Sequence, residues 1–110
     1  MPTAETVKPR KWSEQKTLFE NGWYSVISGI YEGGDHRVLG ERWSGGTVGL
    51  GFPNVAGNPV WHVVPEFLAI HVLTGLIEEL AVNPTGQSKE HFENILQELR
   101  IQHERRSIHK

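Results

Sequence analysis

The feature that most constrains this chain is a change of hydrophobic period at Pro65. Before it, short aromatic and β-branched runs alternate with glycine-rich turns; after it, apolar residues recur at helical spacing. Strands followed by helices cannot build the alternating units of a parallel sheet, so the order directs the chain to an α+β arrangement. Segments 23–34 (WYSVISGIYEGG), 37–45 (RVLGERWSG), 47–52 (TVGLGF) and 60–64 (VWHVV) read as about four short strands of an antiparallel meander. The first of these is apolar on both sides, Trp23, Ile27 and Tyr31 against Tyr24, Val26 and Ile30, and is expected to be a central strand covered twice. Upstream, Ser13 as an N-cap and Gly22 as a stop suggest a short helix.

Pro65 suits a first helical position, because its fixed φ fits and its missing N–H would have no partner there, and Glu66 complements the helix dipole. The helix it opens should run to about Asn83, with His71, Thr74 and Glu78 as a narrow polar stripe among apolar residues. Such a helix needs cover on more than one side, from a second helix or a second subunit. The last helix, from Lys89, has Phe92, Ile95, Leu96 and Leu99 at packing positions, and its stripe then turns polar at Gln102, His103 and Arg106. Both helices are expected to pack on the sheet.

A chain of 110 residues supports one domain. Its expected extent is 12–105, between a flexible basic N-terminal tail over 1–11 and a flexible basic C-terminal tail over 106–110. The absence of cysteine excludes disulfides, thiolate nucleophiles and cysteine-ligated metals. No apolar run is long enough to span a bilayer, so no membrane association and a cytoplasmic location are expected. The net charge of −2 conceals a segregation, since residues 18–99 carry three Lys/Arg against ten Asp/Glu while both ends are basic. Basic ends permit nucleic-acid binding, but the acidic body opposes it and no recognition motif accompanies them.

The glycines of WSGGTVGLGFPNVAGNP raise the question of a phosphate loop. Gly46, Gly49 and Gly51 reverse the spacing of the dinucleotide fingerprint, and no helix follows to receive an anion at its N-terminus. The residues read better as a strand with Val48, Leu50 and Phe52 on one side and almost bare backbone at Gly49 and Gly51 on the other, against which a bulky aromatic or a ligand can lie. The histidines form no metal-ligand spacing, and neither metal nor cofactor is expected.

Alternation along 37–45 sets Glu41 on the Trp43 side and Arg42 on the opposite one, with Arg37 as the expected salt-bridge partner of Glu41. The expected function is a small, soluble, non-enzymatic binding or assembly protein acting as a homodimer or with another protein. The alternative is a small-molecule or enzymatic pocket formed by Glu41, Arg42, Trp43, Gly49, Gly51 and His62.

Overall fold

A computed structural model describes Ala4 and residues 7–43, 51–55, 58–83 and 89–108, with backbone only at 55, 58–59 and 106–108. The elements are β1 (Trp12–Glu20), β2 (Tyr24–Tyr31), β3 (Arg37–Trp43), β4 (Asn54–Val55), β5 (Asn58–Pro59), β6 (His62–Val63), α1 (Glu66–Val82) and α2 (Lys89–Ile108). A four-stranded antiparallel sheet in the order β1-β2-β3-β6 precedes the two helices, which is the expected α+β class. The strands β4 and β5 pair separately.

The sheet's edge differs from the sequence reading. The short helix expected over 12–22 is instead β1, and two irregularities explain why its pattern misled. The register with β2 slips between Ser13 and Lys16 and again between Thr17 and Phe19. Each extra residue shifts the later side chains to the other face, so Leu18 and Phe19 are buried side by side and the alternation that marks a strand is lost. The expected strand over 47–52 lies outside the described residues except for Gly51 and Phe52.

At the β2–β3 turn both central residues, Glu32 and Gly33, have positive φ (49° and 70°), and the Gly34 N–H donates to the Tyr31 carbonyl at 3.0 Å. This geometry matches the twist of a tight hairpin. Paired residues share a face of the sheet, so the register Tyr24↔Trp43, Val26↔Glu41 and Ser28↔Leu39 defines one side. That side receives the helices: Leu18, Phe19, Val26 and Leu39 pack with Val64, Ala69, Leu73, Leu76 and Ile95.

The opposite side is closed by the chain before β1. Trp12, Ile27 and Trp61 form a second core with Ala4 and Val7. The Val7 carbonyl accepts from Trp61 Nε1 at 2.8 Å and from Gln15 Nε2 at 3.0 Å, and the Ala4 N–H donates to Glu20 Oε1 at 2.7 Å. A side chain at Gly40 would place its Cβ 2.8 Å from the Trp12 ring, and one at Gly29 would come within 3.1 Å of it. The glycines thus provide the bare backbone on which a tryptophan lies, and β2 is covered on both sides within one chain.

Candidate functional site

The end of the sheet on the helix side gathers the chemically distinctive side chains. Tyr24 faces Trp43 across β2 and β3, while Glu41 faces His62 across β3 and β6. Trp43 and Phe52 exchange both backbone hydrogen bonds, at 2.6 and 2.8 Å, which brings Phe52 to the same side as Trp43. The Tyr24 and Trp43 rings lie 4.8 Å apart at 49°. Tyr24 Oη donates to Glu41 Oε1 at 2.9 Å, and His62 Nδ1 stands 3.5 Å from Glu41 Oε2. Tyr24 anchors this group to the interior through Phe19, whose ring centroid is 6.4 Å from its own.

Trp43 is 53% exposed, Phe52 66% and the His62 side chain 62%, so the group forms an open surface and not an enclosed pocket. Burial, then the hydrogen bond to Glu41, then that carboxylate's charge all raise the Tyr24 pKa well above 10.0. Because the folded protein holds this proton more tightly than the unfolded chain, the contribution to stability is complete below pH 10 and is lost as pH rises through the folded value. Alkaline absorbance titration should therefore show Tyr24 ionising late, and Glu41→Gln should bring its ionisation to lower pH. A Tyr24 that ionises near pH 10 in the folded wild type would contradict this.

Of the sequence-derived site residues, the structure brings Glu41, Trp43 and His62 together and adds Tyr24 and Phe52. Arg42 is on the other side of the sheet, 2% exposed and opposite Ser25, where burial lowers its pKa and the Glu20 charge opposes that shift. Gly51 takes a positive φ of 76° and its carbonyl accepts from Asn54 Nδ2 at 3.1 Å, a turn role; Gly49 lies outside the described residues. The expected Glu41–Arg37 pair is not formed. The two residues are four apart in β3, whereas Glu41 is directly opposite His62, and Arg37 turns to α2.

That turn reveals residues the sequence reading missed. Glu98, 2% exposed, accepts from Ser28 Oγ at 2.9 Å and stands 3.7 Å from Arg37 Nε. Arg37 Nε donates to Ser28 Oγ at 2.8 Å and its Nη2 to the Ser28 carbonyl at 3.0 Å and to the Glu14 carbonyl. The buried line of α2 is Ile95, Glu98 and Gln102, while Leu96 is 46% exposed. The spacing of those three residues carried the signal, but Leu96 drew the expected stripe to the neighbouring face.

A hollow of about 230 Å³ lies between the N-terminal segment, β1 and the start of α2, where Lys8, Lys16, Glu90 and His91 mix both charge signs. Among the described residues no three metal-ligating side chains converge, and no helix is long and apolar enough to cross a membrane. No protein-family model matches the chain, and no curated protein or solved structure matches it.

Proposed function

We propose that this is a non-enzymatic binding or assembly protein that docks a partner on the surface formed by Tyr24, Glu41, Trp43 and Phe52. One observation carries the reading: two large aromatic side chains, Trp43 and Phe52, are each more than half exposed beside a carboxylate already oriented by a tyrosine hydroxyl. Tryptophan and tyrosine held on a rigid sheet lose little conformational freedom on contact, which makes them effective anchors. A Glu–His pair whose histidine side chain is 62% exposed lacks the exclusion of water that strengthens charge–dipole interactions in catalysis.

The test is selection from a random peptide library displayed on phage. Selected peptides should shift the Trp43 Nε1–H resonance and bind Trp43→Ser at least about tenfold more weakly, a loss of about 1.4 kcal/mol. Peptides that bind elsewhere, or a library that yields none, would remove this reading.

A second reading, self-association, is supported by the outer side of α1. Phe67 (67% exposed), Leu68 (39%) and Val82 (84%) lie toward its two ends, and nothing comes within 4 Å of a Cβ placed on Gly75 between them. Antiparallel packing on a second α1 would set the Phe67 end against the Val82 end about a twofold axis near Gly75. Sedimentation equilibrium should give a dimer for wild type and a monomer for Phe67→Ser/Leu68→Ser; a monomeric wild type at micromolar concentration excludes it.

A further inference from the structure

Resting on the reading of the Trp43 surface as a docking site, we propose that its ligand is an alkylammonium cation, a lysine side chain or its methylated form, presented by a partner polypeptide. The aromatic geometry is the first ground. Tyr24 and Trp43, ring centroids 4.8 Å apart and tilted at 49°, pack against each other with Trp43 53% exposed, and the backbone bridge holds the 66% exposed Phe52 beside Trp43. Ring faces carry negative potential, so such an exposed aromatic surface attracts a compact cation placed over the rings.

The state of Glu41 is the second ground. Its side chain is 34% exposed, and its described partners are a hydroxyl and a histidine ring. The buried acid Glu98 has Arg37 at hand, and the more exposed Glu66 and Glu32 have Arg105 and Lys11, whereas among the described residues Asp35, like Glu41, has only a histidine within ion-pair distance. Among the described residues no lysine or arginine pairs with Glu41. The nearby cations are directed elsewhere, Arg37 to Glu98 and Arg42 to the opposite side of the sheet.

These two grounds limit what can settle there. A wholly apolar segment laid on the rings would strip water from the Glu41 carboxylate without supplying a counter-charge. An anion would be repelled by it. Arginine binds carboxylates best through a two-point fork, and here the approaches to the two Glu41 oxygens are shared with Tyr24 Oη at Oε1 and His62 Nδ1 at Oε2. An ammonium group needs only one lone pair of Oε2, which His62 Nδ1 approaches at 3.5 Å, and gains from the rings around it.

The experiment uses three versions of one short peptide, carrying lysine, trimethyl-lysine or the neutral tert-butyl isostere of trimethyl-lysine. Binding is measured by calorimetry and by the Trp43 Nε1–H resonance. The trimethyl-lysine peptide should bind about tenfold more tightly than its neutral isostere. Glu41→Gln, which retains an acceptor for Tyr24, should erase most of that difference, and Trp43→Ala should abolish binding while thermal unfolding confirms a folded protein. Equal affinity for charged and neutral peptides at Trp43 would overturn the cation proposal and leave docking intact. Unchanged trimethyl-lysine affinity in Glu41→Gln, or failure of every peptide to reach Trp43, would also overturn it; docking itself is decided separately by the library selection.

Discussion

Trp12→Ala should destabilise the fold by about 3–5 kcal/mol, the usual cost of truncating a large buried aromatic. Trp12 is 6% exposed, lies over Gly29 and Gly40, and packs at a tilt of 56° with its ring centroid 5.2 Å from that of Tyr31, so its removal opens the core on the side of the sheet that no helix covers. Gly40→Ala is the complementary change. Its Cβ would lie 2.8 Å from the Trp12 ring and 3.1 Å from Trp61 Cβ, an overpacking worth about 1–3 kcal/mol. Combining the two relieves the collision, because alanine at 40 then enters space that Trp12 has vacated. Urea unfolding of both single variants and the double variant should show a coupling of at least about 1 kcal/mol. Strict additivity would contradict the packing of Trp12 on Gly40.

Arg37→Met should cost about 3–5 kcal/mol, because it leaves the Glu98 carboxylate buried without its counter-charge. The exposures of the two side chains, 16% for Arg37 and 3% for Glu98, make the pair asymmetric. Glu98→Gln should cost only about 1–2 kcal/mol, since Arg37 retains the Ser28 and Glu14 carbonyls and some access to water. Replacing both, as in Arg37→Met/Glu98→Leu, should recover much of the loss by exchanging a buried ion pair for apolar contact. Chemical denaturation orders the three variants. A Glu98→Gln protein as unstable as Arg37→Met would show that counter-charge is not what the cluster supplies.

The α+β class was legible because the change of period at Pro65 survives any local irregularity. The position of β1 was not, since its two register slips put Leu18 and Phe19 together in the core and leave no period to detect. The glycine-and-aromatic packing was recognisable as a kind of interaction but not as a location. The sequence directs it to Gly49 and Gly51, of which Gly49 lies outside the described residues, and among the described glycines Trp12 lies on Gly29 and Gly40. Of the candidate surface, strand alternation alone set Glu41 with Trp43 and against Arg42. Tyr24 and His62 join them only through cross-strand register, and Phe52 only through a bridge that no local pattern announces. Glu98 was hidden for another reason: a glutamate on a helix is ordinarily solvated, and its burial depends on Ser28 and Arg37 standing opposite.

The most direct test of the docking surface is to compare stability and binding in Trp43→Ser/Phe52→Ser. Both side chains are more than half exposed, so if they serve a partner their loss should change folding by about 1 kcal/mol or less while weakening library-selected peptides at least about tenfold. A variant that loses several kcal/mol of stability yet binds those peptides as tightly as wild type would assign the two aromatics to the fold and contradict the proposed function.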